Sequence, residues 1–280
     1  MIELCERTRR SKTPQHYALF QAGRGSPQEK FRALTRDQDP EVAIAELPGA
    51  DRLLRLSWAQ THDPGFRTLH ERILGEADAL SGGALGREIG WSSMTILLSS
   101  PGIVTPYHMD HQSNLLFHIG GRKTIWLFDP ADRRVLGETV IERFYGGDSY
   151  AADYRDDMQG EGAAYELTPR LAVHNPPLGP HWVRNGAEVS LSVSINFSLA
   201  ACEDRARVYQ VNRCLRSLGL APLPPGRSAW RDRIKQQPFR ILAPARPRSM
   251  EELLHGGPAR LLRPVATLRR LLRRSPSAAP

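Results

Sequence analysis

The chain has 280 residues, 40% hydrophobic and 24% charged, ordinary proportions for one sizeable globular domain with an appendage or for two small domains. No run approaches the ~20 apolar residues of a bilayer span, Met1–Lys12 lacks the apolar core of a secretory signal, and Cys5, Cys202 and Cys214 match no zinc or disulfide framework, so a cytoplasmic protein with reduced thiols is expected. The net charge of +8 is uneven: from residue 201 onward 17 Lys and Arg face 5 Asp and Glu, which leaves the first 200 residues acidic in balance.

Residues 1–50 are mixed and rich in loop-forming types, with a short helix predicted around 27–35. A longer helix is predicted over 64–82, where Phe66, Leu69, Ile73 and Leu74 recur at helical spacing and Gly82-Gly83 ends the run. From about residue 90 the period changes to two. Strands are predicted over 91–99, 114–119 and 123–128, the last two separated by Gly120-Gly121-Arg122 and read as a tight hairpin. Residues 130–165, rich in Asp, Gly and Tyr, read as a long excursion over the mouth of the fold.

A short extended stretch, 171–175, precedes the clearest strand, 189–199. There Val189, Leu191, Val193, Ile195, Phe197 and Leu199 alternate with Ser190, Ser192, Ser194, Asn196 and Ser198. One face is large and apolar and must pack. The other is small and polar, suited to solvent or to the interior of a barrel that holds a polar ligand. Beyond residue 200 the pattern is helical: 203–218 with an apolar stripe, a short helix within 228–240, then a Pro/Arg-rich tail in which 259–274 has the pattern of a basic amphipathic helix. The expected fold is mainly β with flanking helices, a jelly-roll or cupin-like barrel. Its expected parts are flanking elements over 1–89, the core over 90–200, a helical extension over 201–243 and a basic tail over 244–280.

The chemistry is concentrated around His108-Met109-Asp110, answered far downstream by His181. In an extended segment His108 and Asp110 point the same way. Two imidazoles and one carboxylate are the set that holds Fe(II) on one face and leaves positions open. His111 and His118 lie close to this motif and read as wall or surface residues. His174 is an alternative to His181.

These residues, with their neighbours, resemble the JmjC/cupin-like Fe(II)- and 2-oxoglutarate-dependent oxygenases, and within them the asparaginyl hydroxylase acting on hypoxia-inducible factor. The resemblance covers roughly residues 90–200 and rests on several spacings. Thr105 lies three residues before His108, Asn114 six after it and Lys123 fifteen after it, while Pro176-Pro177-Leu178-Gly179-Pro180 leads into His181 and Asn196 follows fifteen later. It implies that His108, Asp110 and His181 bind Fe(II), that Lys123 pairs with the far carboxylate of 2-oxoglutarate, and that Thr105, Asn114 and Asn196 complete the cosubstrate pocket. The family's usual Gly-Asp-x-Leu-Tyr-Ile-Pro approach to the distal His is replaced here by Arg170-Leu-Ala-Val-His-Asn-Pro176, which puts His174 near the usual Tyr.

The implied activity is hydroxylation of a protein side chain or of a peptide-like or small metabolite, with release of succinate and CO2. The alternative is a non-catalytic cupin-like module that acts through its basic C-terminal region, on nucleic acid or another partner. A homodimer through the C-terminal helices is a further expectation, from the apolar stripe of 203–218.

Overall fold

Five helices and three short strands precede residue 89 in a computed structural model that describes residues 1–35, 38–242 and 246–255. Strands β1 (Tyr17–Gln21), β2 (Arg32–Ala33) and β3 (Arg52–Leu56) alternate with helices α1 (Ile2–Arg9), α2 (Pro40–Ala45), α3 (Ala59–His62), α4 (Pro64–Leu80) and α5 (Ala84–Glu88). Asp63 caps α4 by accepting from the backbone N–H groups of Gly65 and Phe66, and Pro64 opens the helix where its missing N–H costs nothing. Residues 27–35 are turn and strand instead of the predicted helix. Pro27 and the pairing of Phe20 with Ala33 draw them to the sheet edge.

The remaining strands are β4 (Ile89–Ser99), β5 (Val104–His108), β6 (Ser113–Gly120), β7 (Lys123–Leu127), β8 (Ala163–Leu167), β9 (Ala172–Asn175), β10 (His181–Asn185) and β11 (Ser190–Leu199). They form a seven-stranded sheet in the order β2-β1-β3-β4-β11-β6-β9 and a four-stranded sheet in the order β5-β10-β7-β8. This is the double-stranded β-helix expected from the sequence. The outward side chains of β1, β3 and β4, among them Leu54, Leu56, Met94 and Ile96, are almost wholly buried, and α3 and α4 pack on β4.

The predicted hairpin between β6 and β7 does not form, because the two strands belong to different sheets. Gly121, at φ +76°, turns the chain from one sheet to the other, and a Cβ there would lie 2.6 Å from the Val189 carbonyl oxygen. The Gly-Gly signal marked a sharp turn correctly, but such a turn serves a barrel corner as well as a hairpin.

Two compact units divide the chain: residues 1–135 with 153–198, and residues 136–152 with the chain from Leu199 onward. The first holds both sheets. The second holds α6 (Glu138–Tyr145), α7 (Ala200–Ser217), α8 (Ala229–Leu242) and α9 (Met250–His255). The middle of the 130–165 excursion therefore carries a helix of the second unit, and its end carries a 3-10 turn over Asp156–Glu161 and β8. Within the second unit the buried Glu142 takes a two-pronged ion pair from Arg216 at 2.7 and 2.9 Å, and Tyr145 stacks on Tyr209. The Gln210 side chain donates to the Leu253 carbonyl at 3.0 Å, joining α9 to α7. The predicted helix over 259–274 lies outside the described residues.

Candidate metal centre

Register places the candidate residues on the inner walls of the barrel. On the smaller sheet His181 pairs with His108 and with Leu127, Val183 with Thr105 and Ile125, and Asn185 with Lys123. Paired residues share a face, so this wall reads inward as three rows. The first is His108, His181 and Leu127, the second Thr105, Val183 and Ile125, the third Asn185 and Lys123. Strict alternation would put Thr105 and His108 on opposite faces. The register between β5 and β10 shifts at this point, with three steps on β5 against two on β10. That bulge brings Thr105 to the side of His108.

The larger sheet supplies the facing wall. Asn114 pairs with Asn196 on one side and Asn175 on the other, Leu116 with Ser194 and Val173, and His118 with Ser192. The small polar face of β11 therefore lines the interior, with Ser192 and Ser194 buried. Asn114 Nδ2 donates to Asn196 Oδ1 at 2.7 Å and also to Ser194 Oγ. Between the polar rows lies an apolar layer of Leu116, Ile125, Leu167 and Val183, closed by Leu97, Leu127 and Val173.

His108, Asp110 and His181 bring one donor atom each to within 4.8 Å of one another, and they are the one such group of three among the described residues. His108 Nε2 is 3.9 Å from Asp110 Oδ2, and the two imidazole centroids are 4.2 Å apart. The backbone fixes both tautomers. A carbonyl oxygen only accepts, so the contacts of His108 Nδ1 with Pro106 O at 2.7 Å and of His181 Nδ1 with Gly179 O at 3.0 Å make each Nδ1 the protonated nitrogen. That leaves each Nε2 as the ring nitrogen available to a metal. Burial, with the neighbouring His108 adding to it, lowers the pKa of His181 to about 4, so its ring is neutral at physiological pH. Two imidazoles whose Nδ1 is held by a backbone carbonyl, beside a carboxylate, are the donor set a divalent transition metal requires.

Asn175, which the sequence did not single out, lies 2.9 Å from His181 Nδ1 through its Nδ2, while its buried Oδ1 finds no partner. A protonated Nδ1 cannot accept. Turning the amide over sets Oδ1 against the Nδ1–H and removes that mismatch. The Pro176–Pro180 approach is held by the Leu178 N–H, which donates to the Asp110 carbonyl at 2.7 Å. His174 sits beside Leu115, on the other face of β9, exposed and bonded to Ser113 Oγ at 2.7 Å. It is not one of the three clustered donors. His118 donates to the Gly121 carbonyl at 2.9 Å and accepts from Ser192, and His111 meets Ser198 Oγ at 2.9 Å; both rings are buried.

Lys123 is buried at the far end of the wall, and among the described residues no carboxylate or other acceptor pairs with its ammonium. Burial lowers its pKa from 10.5 to about 8. At neutral pH it is a cation held in low dielectric with no balancing group among the described residues.

The family profile of the cupin-like domain matches residues 2–217. The chain belongs to this family. No curated protein matches it. Among solved structures, this cupin-like chain is similar to YcfD, a ribosomal oxygenase from Escherichia coli in complex with cobalt and 2-oxoglutarate, at 14% identity and a TM-score of 0.47, covering 85% of this chain and 57% of that one. It is also similar to the DMSP lyase DddQ from Ruegeria pomeroyi DSS-3, at 11% identity and a TM-score of 0.26 over 39% of each chain. A third likeness is to the oxalate decarboxylase of Lactobacillus farciminis, at 12% identity and a TM-score of 0.26, over 42% of this chain and 27% of that one. This chain thus spans less than two thirds of each of these structures.

Proposed function

We propose that this cupin-like protein is an Fe(II)- and 2-oxoglutarate-dependent oxygenase that hydroxylates a protein side chain or a peptide-like or small metabolite. The observation that carries the reading is the placement of a His/His/carboxylate cluster at one end of the inner wall and, at the other, of a buried lysine with no acceptor among the described residues. Leu127 to Lys123 is four residues, ~13 Å of strand, a span that the lysine's own chain and a five-carbon dicarboxylate bridge together. The layer of Leu116, Ile125 and Val183 between them suits the methylenes of such a ligand.

In this reading His108, Asp110 and His181 hold the iron through Nε2, a carboxylate oxygen and Nε2. Bound iron and 2-oxoglutarate supply the oxidising power, with succinate and CO2 as products. The chain's own residues bind and orient. The Pro106 and Gly179 carbonyls hold each Nδ1–H and so aim each Nε2 inward. Lys123 meets the far carboxylate as a point charge in a site where the pair is little screened. Thr105, Asn114 and Asn196 give neutral hydrogen bonds along the same ligand, and the apolar layer keeps water from its middle.

Self-association belongs to the proposal. The exposed apolar stripe lies on α8, where Trp230, Ile234 and Ile241 are spaced by four and seven and share a face, beside a cleft of about 360 Å³ lined by Leu215, Leu220 and Leu223. A second copy is favoured over the chain's own residues 256–280 as its occupant. That segment carries six arginines and no acid, and the cleft already has Arg231 and Lys235 at its edge.

The test is succinate formation from 2-oxoglutarate with Fe(II) and ascorbate, beside His108→Ala and with calorimetric binding of Mn(II) and 2-oxoglutarate. Turnover that vanishes in the variant supports the oxygenase. Binding of both without turnover identifies an enzyme strictly coupled to its substrate. Failure to bind either overturns the reading, and the basic C-terminal region then becomes the candidate working part.

A further inference from the structure

Behind the two histidines of the metal cluster, on the outer face of the same sheet, lies a run of aromatic rings that the proposed reaction does not use. Trp182 follows His181 on β10 and pairs in register with Trp126 on β7. Their rings stack with centroids 3.8 Å apart and planes within 6°. Tyr107, which precedes His108, meets Phe128 at 5.3 Å and Tyr154 at 5.6 Å, and Tyr154 stands 6.3 Å from Trp182. One indole and one phenol are therefore each a single residue from a proposed iron ligand, and the rings lead outward from there.

From this arrangement we infer that Trp182 and Trp126 form a one-electron relay that carries oxidising equivalents away from the metal centre when no substrate is present to accept them. The inference rests on the iron centre proposed above. The environment of the two rings sets the direction. Trp182 is 5% exposed, and its Nε1–H is buried without an acceptor. A radical cation there has nowhere to send its proton. Above the same ring sits the Arg184 guanidinium, 5.8 Å from the centroid, held by the carbonyls of Arg24 and Gly25 at 3.2 and 3.1 Å. A cation over a ring stabilises the neutral ring and opposes a positive charge within it. Trp126 is only half-buried, so water can take its proton. Oxidation at Trp182 therefore passes to Trp126 and stays there.

The electrons balance as follows. With iron held by His108, Asp110 and His181, Trp182 would give one electron from its indole to the oxidised centre, and Trp126 would give one electron back to Trp182. The Trp126 radical cation releases its Nε1 proton to water, and the neutral radical adds dioxygen. The peroxyl product takes one electron from a second ferrous ion and one proton from water, which leaves both oxygen atoms on the Trp126 side chain. Tyr107 is a poorer carrier. Its hydroxyl is buried without a partner, and phenol oxidation must shed a proton.

Peptide mass spectrometry of the full-length protein tests this after aerobic incubation without substrate or ascorbate. One arm uses Fe(II) with 2-oxoglutarate, a second uses Fe(II) with hydrogen peroxide, and succinate is measured in the first. The expected result is a peptide carrying two added oxygen atoms on Trp126, lost in Trp182→Phe while that variant still binds Mn(II). In Trp126→Phe the added oxygen moves inward, to Trp182 or to Met109, the buried thioether between His108 and Asp110. Should Trp182→Phe not fold, Trp126→Phe still decides.

Succinate formation with oxygen found on Met109 and on neither tryptophan overturns the relay and leaves the oxygenase standing. Marking of Trp126 in the peroxide arm without succinate supports the relay and removes the role of 2-oxoglutarate. An absence of iron binding by calorimetry overturns both.

Discussion

Lys123 is the residue at which stability and the proposed ligand binding pull against each other. Its pKa in the folded chain is about 8 against an ordinary 10.5, a difference that costs on the order of 3 kcal/mol wherever the ammonium is charged in both states. Between those two values the unfolded chain holds more protons than the folded one, so this contribution to stability rises with pH; the cost is full below pH 8 and gone above 10.5. Lys123→Met is expected to melt higher than wild type at pH 7 in the absence of ligand, with the gain fading as pH climbs through that window. Added 2-oxoglutarate should then raise the melting temperature of the wild type with Mn(II) and leave the variant unmoved. A variant that melts lower at pH 7 would show that the lysine is balanced by a partner. The clustering of His108, Asp110 and His181 was legible because the three are specified by residue type and spacing. Asn175 was not, since an asparagine before a proline carries no mark of the imidazole it faces. Thr105 was found only through the family resemblance, because its parity with His108 is wrong until a bulge corrects it.

At the scale of elements, the alternation of β11 was the most informative stretch of the sequence. It marked one face as apolar and packed and left the other to solvent or to a barrel interior; the buried serines opposite His118 and Leu116 put that face inside. The connection from β6 to β7 was legible only as a turn. Which sheet a strand joins depends on pairing with β9, β10 and β11, all far away in the chain, and no local signal encodes that. The corner itself makes a demand that can be measured. Gly121 combines a left-handed φ of +76° with a Cβ position 2.6 Å from a carbonyl oxygen. Left-handed backbone costs a residue with a Cβ roughly 1–2 kcal/mol before any clash. Gly121→Ala should lower the free energy of urea unfolding by about 2 kcal/mol. Because Lys123 begins the next strand, the variant should also bind 2-oxoglutarate more weakly. A midpoint equal to that of wild type would mean that the corner relaxes away from Val189 at little cost.

The whole molecule was harder to foresee than its site. Residues 136–152 belong to the second unit, although the sequence runs through them as part of one excursion between β7 and β8. Membership of a unit is a property of contacts with α7, sixty residues downstream, and α6 is too short to declare them by its own pattern. The apolar stripe expected to mediate self-association was assigned to 203–218, where α7 buries Val208, half-buries Val211 and Leu215 and leaves Leu218 exposed. The exposed stripe is on α8, where Trp230 is 61% and Ile234 59% exposed. Three large apolar side chains on one helix face are more than scattered surface residues, and rims of charge around such a patch mark association sites. A twofold pair can set Asp232 of one copy against Arg231 or Lys235 of the other, so the patch complements itself. Wild-type protein is therefore expected to run as a dimer by light scattering, and Trp230→Asp with Ile234→Asp as a monomer. The double variant's metal binding should match the wild type's, since neither position lies in the unit that holds the donors. A monomeric wild type would assign the stripe to a different partner. A double variant that stays dimeric would move the interface off α8 altogether.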